Sequence, residues 1–292
     1  MAEPSSDGPL YSAPVAITLA LLTAALFGTG DFLGGLSGKR MSVLRVLAIS
    51  HTIGLVLITV GAIVIADEFL LGDLAWGALA GIAGFIGLAL LYQGLARGPM
   101  GVVAPLTAIT SAAVPAGWGL LIDDESLAGT AWVGVVVALF AIGLASASPV
   151  EQSPVRLAAV LEALLAGVGF GLMFVGLDQT VEASAPWPIV GARLMTVSAM
   201  AVVFFIVKRE SPLPPVRADI RLPAIAGFVD TFSNALFLYA TLEGDLAVVA
   251  VLSSLYPIAT VILARIVLGE RLTRLQQSGF VAAMVATTLI AI

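Results

Sequence analysis

The sequence alternates long apolar stretches with short polar connections. Each apolar stretch holds about 20 residues, the length that an α-helix needs to cross the hydrocarbon core of a bilayer. Ten such segments, numbered 1 to 10 below, are expected at 14–35, 43–65, 74–96, 101–122, 130–148, 157–177, 188–207, 222–242, 246–267 and 275–292. Ten helices leave few of the 292 residues for connections and no room for a soluble domain. The pattern predicts an all-α integral membrane protein with ten transmembrane helices.

Composition agrees with this prediction and narrows the function. Apolar residues make up 60% of the chain and charged residues 11%, whereas soluble domains carry about 25% charged residues. The absence of cysteine and the single histidine, His51, exclude disulfides, thiolate metal sites and two-histidine metal motifs. We therefore expect no metal or other cofactor. The sequence also lacks a GxxxxGK[ST] phosphate loop and any basic surface of the kind that binds nucleic acid.

The N-terminal tail, residues 1–13, contains no Lys or Arg before segment 1. A secretory signal peptide needs a basic region before its apolar core. Segment 1 is therefore expected to remain as a membrane helix.

The second half of the chain repeats the first. GPMGVVAPL (Gly98–Leu106) returns 146 residues later as GDLAVVAVL (Gly244–Leu252), and DESL at 124–127 returns as GERL at 269–272. Self-similarity over half of an apolar chain is typical of transporters built from two related units. The predicted division is a tail at 1–13, a first unit at 14–148, a linker at 149–156 and a second unit at 157–292.

Each predicted unit holds five helices, and an odd number forces the two units to cross the bilayer in opposite senses. Further matches keep the same order and a similar spacing: Arg45 with Arg193, Tyr92 with Tyr239, and Phe27-Gly28 with Phe170-Gly171. The predicted fold is therefore a pair of inverted five-helix repeats.

Charged residues divide between the two faces of this arrangement. Every Lys and Arg except Arg193 lies in, or at a helix end beside, the connections after segments 1, 3, 5, 7 and 9, termed the basic face. The opposite, acidic face carries Glu3, Asp7, Asp67, Glu68, Asp73, Asp123, Asp124, Glu125, Asp178, Glu182, Glu243 and Asp245. Since short cytoplasmic loops accumulate Lys and Arg, the charge bias predicts a cytoplasmic basic face and both termini outside.

These motifs resemble a known family. GTGDFLGG at 28–35, an arginine opening segment 2, GPMGVVAPL followed by DESL, and the run Gly244–Leu272 are similar to the EamA-type branch of the drug/metabolite transporter superfamily. The resemblance extends from residue 14 to the end of the chain and is not specific to a substrate. It implies ten helices in an inverted repeat, a central cavity and alternating access. Many members are drawn with both termini cytoplasmic, which is opposite to the orientation that the charge bias predicts.

Ionisable side chains at membrane depth are costly and usually face a cavity or one another. Asp230 in segment 8 shares a helix face with Ser233, Asn234 and Phe237. That face suits a cavity wall that binds a polar substrate or exchanges a proton. The alternative is a structural carboxylate paired with an arginine such as Arg193.

Two interpretations stay open for each of the other charged candidates. Asp31 either lines the cavity mouth or forms a local ion pair with Lys39 or Arg40. Arg45 and Arg193 either attract an anionic substrate group or reach an interface or a carboxylate.

Residues of weaker signal complete the candidate set. Four polar residues are candidates for substrate binding: Tyr92, Gln93, Tyr239 and Tyr256. Two prolines, Pro115 and Pro257, are expected to interrupt their helices, either as gating hinges or as static kinks. His51 is either a proton relay or a packing residue, and Glu162 is expected at the interface. The ladder Gly77, Ala80, Gly81 and Gly84 predicts close helix packing.

These features predict a secondary active transporter of small organic metabolites or drugs in a bacterial-type plasma (inner) membrane. Export is the expected direction and a proton an expected coupling ion. The expected partners are a small-molecule substrate and the lipid bilayer, with a homodimer as an open alternative to a monomer. The competing classes are a non-transporting membrane assembly or sensor protein, and an intramembrane enzyme, for which the sequence offers no nucleophile–base set.

Overall fold

The computed structural model describes residues 12–38, 41–97, 100–145, 156–208, 220–269 and 273–292, and in these ranges every regular element is a helix. The α-helices are α1 (Ser12–Gly38), α2 (Val43–Ile65), α3 (Leu71–Arg97), α4 (Met100–Leu121), α5 (Gly129–Ala145), α6 (Leu157–Asp178), α7 (Trp187–Val202), α8 (Arg221–Glu243), α9 (Leu246–Ser253), α10 (Tyr256–Leu268) and α11 (Arg274–Ala291). A short 3₁₀-helix, Glu182–Ser184, precedes α7, and a π-helix, Val203–Lys208, continues it.

Seven helical stretches of the described chain are long and apolar enough to cross a bilayer. They are Pro14–Gly38, Leu44–Ile65, Leu71–Leu91, Leu157–Asp178, Trp187–Ile206, Arg221–Glu243 and Leu246–Leu268. Two shorter apolar stretches are Leu106–Leu121 and Gly129–Ala145. Large apolar side chains such as Val64, Phe140 and Met284 stay exposed on the outside, as a lipid-facing surface requires. The chain is a multi-pass membrane protein.

The helices of the two predicted units interlock. One bundle contains α1, α2, α8, α9 and α10, with α8 packed along α1 and α2, and α9 and α10 against α1. The other contains α3, α4, α6 and α7, with α6 packed along α3 and α4, and α7 against α3. The bundles meet where α2 contacts α7 and α4 contacts α9, while α5 packs along α11.

Small residues let α3 approach its neighbours closely, as the glycine ladder predicts. A Cβ built on Gly81 would lie 2.5 Å from the carbonyl oxygen of Ala192, and one built on Gly84 would lie 2.6 Å from the sulfur of Met173. Larger residues at these positions would push α3 away from α7 and α6.

The stretch predicted as segment 9 is divided in two. α9 ends at Ser253, and Pro257 lies in the first turn of α10, where a missing amide donor removes no intrahelical hydrogen bond. The interruption expected near Pro257 is present. α4 stays helical through Pro115, so the hinge or kink expected there stays a prediction. Without water to satisfy freed backbone groups, a membrane helix keeps its remaining hydrogen bonds around a proline.

Candidate functional site

Three ionisable side chains from three helices meet inside the protein. The guanidinium of Arg193 on α7 pairs with the carboxylate of Asp230 on α8, and its Nη1 lies 3.2 Å from Nδ1 of His51 on α2. A Cβ built on Gly54 would lie 3.5 Å from Nε of Arg193, so α2 covers the guanidinium. The Arg193 side chain is only 7% exposed, whereas that of Asp230 is 34% exposed. The pair is therefore accessible from the Asp230 side, and it joins the two bundles.

His51 contacts two groups through one ring nitrogen. Nδ1 lies 3.2 Å from Arg193 Nη1 and 3.0 Å from Thr196 Oγ1. A guanidinium only donates hydrogen bonds, so Nδ1 accepts from Arg193 and the ring proton lies on Nε2. In this arrangement His51 is a neutral imidazole that orients Arg193.

Asp31 lies beside this ion pair. A Cβ built on the preceding Gly30 would lie 3.6 Å from Cβ of Asp230, so α1 and α8 touch at this level. Asp31 has no ion-pair partner among the described residues. Its predicted local partners, Lys39 and Arg40, lie outside those residues. The described cluster thus contains two carboxylates and one guanidinium.

The face of α1 that carries Asp31 changes from buried to exposed along the helix. Ala20 is 0% exposed, Ala24 is 6% exposed, Phe27 is half-buried and Asp31 is exposed. These positions share one side of the helix, and Leu22, which faces outward, is on the other. The neighbouring helices therefore pack tightly at the start of this face and leave a gap at Asp31.

The matching face of α8 changes from exposed to buried along the chain, in the opposite order to the face of α1. The Asp230 side chain is 34% exposed, while Asn234 is 7% and Phe237 0% exposed. α1 and α8 run antiparallel, because Gly30 approaches Asp230 and Gly244 approaches Ala16. Both helices therefore place the closed end at the acidic face and the accessible end toward the basic face.

Aromatic rings close the space between the charged cluster and the acidic face. Phe174 on α6 stacks on Phe237 with ring centroids 4.4 Å apart, and the ring centroid of Phe27 lies 6.2 Å from that of Phe174. Phe174 was not among the candidates predicted from the sequence, because one aromatic residue in an apolar helix is indistinguishable from core packing.

Three further candidates lie close to the cluster. Asn234 Nδ2 donates to the backbone oxygen of Asp230 at 2.8 Å, and Ser233 Oγ donates to Val229 within α8 at 2.7 Å. Tyr256 begins α10, which packs on α1 where Thr260 Oγ1 donates to the Gly28 carbonyl at 3.0 Å. Asn234 and Tyr256 therefore adjoin the site, while the hydroxyl of Ser233 is used inside its own helix.

The remaining candidates lie elsewhere. Tyr239 is half-buried on α8 nine residues beyond Asp230, Gln93 is exposed on α3, and Arg45 is half-buried near the start of α2. The side chain of Tyr92 is outside the described part of the structure. Glu162, expected at the interface, pairs with Arg97 at the end of α3.

Comparison with known proteins agrees with this architecture. The sequence profile of the EamA-like transporter family matches residues 157–292. A crystal structure described only as that of a protein shares the fold, with a TM-score of 0.74 and 16% identity over 94% of this chain and 95% of that one. No functionally curated protein matches the sequence. Residues 157–292, the second predicted unit, are therefore similar to the EamA-like transporter family.

Proposed function

We propose that this protein is a secondary active transporter that exports small organic metabolites or drugs by alternating access. The observation that carries the proposal is the gradient of exposure around Asp31 and Asp230. A transporter needs a site between its moving parts that is accessible from one end while the other end is closed. Charged groups at membrane depth are the usual mark of such a site.

The packing supports ten membrane spans in two inverted repeats. α9 and α10 form one apolar stretch, Leu246–Leu268, and counting them as one span gives the ten spans that we propose. If the two units are equivalent, α1 corresponds to α6, α2 to α7, α3 to α8, α4 to α9 with α10, and α5 to α11. Exchanging each helix for its equivalent then converts the α1–α8 contact into the α6–α3 contact and the α2–α8 contact into the α7–α3 contact. It also converts the α4–α6 contact into the contact of α9 and α10 with α1. The α2–α7, α4–α9 and α5–α11 contacts map onto themselves. We propose that the moving bodies are the two interlocked bundles, each of which draws helices from both units.

The charge of the cluster favours a proton as the coupling ion. Arg193 is already bound by Asp230 and His51, so an anionic substrate would have to displace an existing carboxylate. Asp31 adds a negative charge without a partner among the described residues. Binding of a proton to Asp31 brings the net charge of the cluster to zero. An uncharged cluster can be enclosed among apolar side chains at a lower cost in free energy. Asn234 and Tyr256 supply polar contacts for a solute beside it.

The charge bias of the loops gives the orientation that we propose. With the basic face in the cytoplasm of a cell whose plasma (inner) membrane holds the protein, this conformation is accessible from inside. An exporter binds its substrate in that state. A homodimer stays a prediction.

Purified protein in liposomes tests this function. A pH-sensitive dye in the lumen reports proton movement while outward gradients of amino acids, amines and small aromatic drugs are imposed one at a time. We expect at least one solute to change the lumenal pH only when protein is present, and Asp31→Asn to lose that response. Solute release without any coupled pH change would contradict proton coupling, and the absence of protein-dependent release for every solute would contradict transport.

A further inference from the structure

Glu125 connects the two bundles at the acidic face. It lies in the connection after α4, and its two carboxylate oxygens accept hydrogen bonds from the backbone N–H groups of Leu246 at 2.6 Å and Ala247 at 3.0 Å, at the start of α9. Asp245, the residue before α9, makes no side-chain capping bond of its own. The acceptor for the first turn of α9 therefore comes from the other predicted repeat.

The connection after α4 is shaped to present this carboxylate. The backbone N–H of Glu125 donates to the Gly119 carbonyl at 3.0 Å. Asp124 has a left-handed φ of 54°, a conformation that Asp and Asn adopt more readily than most residues. A Cβ built on Gly119 would lie 2.5 Å from Cδ of Glu125, so only glycine leaves room for the carboxylate. The hydrogen bond to Gly119, the left-handed backbone of Asp124 and the space left by Gly119 together fix the position of the Glu125 side chain.

The amides that Glu125 binds have no access to solvent. Leu246 is 1% and Ala247 0% exposed, and α9 stays buried as far as Leu252 apart from the half-buried Val248. A buried N–H without an acceptor is unfavourable. α9 also forms part of the closed end, where it packs against α1 and α4. Movement of α9 away from α4 requires that both hydrogen bonds break.

We propose that Glu125 is a latch that holds the acidic end of the protein closed, and that this end opens when its carboxylate leaves the start of α9. The latch rests on the proposed function, since it matters only in a protein whose acidic end opens in turn. It bridges the bundles at the end of the molecule opposite to the opening at Asp31, so its release frees the closed end without disturbing the Arg193–Asp230 pair.

The absence of cysteine makes the latch testable by site-directed labelling. Ser254, at the end of α9, is 0% exposed, and its hydroxyl has no hydrogen-bond partner among the described residues. Ser254→Cys is therefore a conservative probe of the closed end. The protein carrying it is placed in liposomes, and a membrane-impermeant maleimide is applied to the acidic face. The variants compared are Glu125→Ala, Glu125→Gln and, as a matched control on the same connection, Asp124→Asn.

We expect Glu125→Ala to raise the labelling rate about tenfold, because two buried donors lose their acceptors. Glu125→Gln should raise it less, since one amide oxygen retains one of the two hydrogen bonds, and Asp124→Asn should leave it unchanged. Equal labelling in the parent and in Glu125→Gln and Glu125→Ala, or an equal rise in Asp124→Asn, would overturn the latch. If the alanine variant does not fold, the glutamine variant decides.

Labelling needs no transported solute, which separates this claim from the transport proposal. A faster labelling of both Glu125 variants in a protein without measurable solute release would retain the latch and refute transport. The converse result, normal release with unaltered labelling, would refute the latch alone.

Discussion

At the residue scale, two carboxylates of the charged cluster that look alike in the sequence have different surroundings in the structure. Asp230 is held by Arg193, whose orientation is fixed in turn by His51. Asp31 has no such partner among the described residues. The sequence predicted both aspartates as candidates and named the Arg193–Asp230 pair as an alternative. It did not predict that His51 joins them, because a contact over 142 positions in sequence leaves no local pattern.

These environments predict different results for two similar substitutions. Asp230→Asn leaves the buried Arg193 without its counter-ion and should lower the stability by on the order of 2 kcal/mol, below the value for fully buried pairs because Asp230 is partly exposed. Asp31→Asn should leave stability unchanged and remove proton-coupled release. Thermal unfolding in detergent measures the first effect and the liposome assay the second.

A double variant separates the charge of Asp230 from its structural role. Asp230→Asn combined with Arg193→Gln removes both charges and should recover most of the lost stability. A double variant as unstable as Asp230→Asn alone would show that the loss comes from packing rather than from the unpaired charge.

At the element scale, the length of each apolar stretch predicted the helices, and glycine spacing predicted the close packing of α3. The ten apolar stretches correspond to the observed helices within a few residues at their ends. Segment 9 is divided near Pro257, as the proline signal indicated, but Pro115 leaves α4 continuous. The presence of a proline therefore does not by itself show whether a helix separates, as near Pro257, or continues, as at Pro115. The capping of α9 by Glu125 was likewise not predicted, since it joins residues 121 positions apart.

The position of Glu125 predicts a pH effect on the closed end. Burial raises the pKa of the Glu125 carboxyl, with a further contribution from Asp245 and Asp123, although the Ala247 and Leu246 amides lower it. Asp178 also faces this carboxyl. In an open end the carboxyl would meet water and return toward its ordinary pKa. The closed form therefore binds the proton more tightly. The stability that the bound proton adds to the closed form is complete below the ordinary pKa of a glutamate. It is lost as the pH rises through the raised pKa of Glu125 in the closed form.

Acid should therefore slow labelling of Ser254→Cys from the acidic face. Burial also raises the pKa of Asp245, which acts in the same direction. Labelling is expressed relative to Ile122→Cys, an exposed position, in order to remove the pH dependence of the reagent. Glu125→Gln should lose most of the effect. It does not mimic the protonated acid, which keeps two accepting oxygens where the amide has one. Faster relative labelling in acid would contradict this prediction.

At the scale of the whole molecule, the sequence predicted an all-helical membrane protein but not which helices pack together. Two copies of a five-helix unit suggest two bodies side by side. The structure instead mixes α1 and α2 with α8, and α6 and α7 with α3. Sequence similarity predicts which helices are equivalent, whereas packing partners depend on the shapes of the assembled surfaces. The ion pair Arg193–Asp230 and the Glu125 contact with α9 both cross the boundary between the bundles.

The most direct test of alternating access is a pair of distance measurements between spin labels, one at each end. Ile122→Cys with Glu243→Cys spans the bundles at the acidic face, and Gln93→Cys with Ile220→Cys spans them at the basic face; all four positions are exposed. Double electron–electron resonance in liposomes across a pH series perturbs the proposed coupling ion without a known substrate. We expect the two distances to change in opposite senses, with the acidic end shorter in acid. Distances that stay fixed at every pH, or that lengthen and shorten together, would contradict the account.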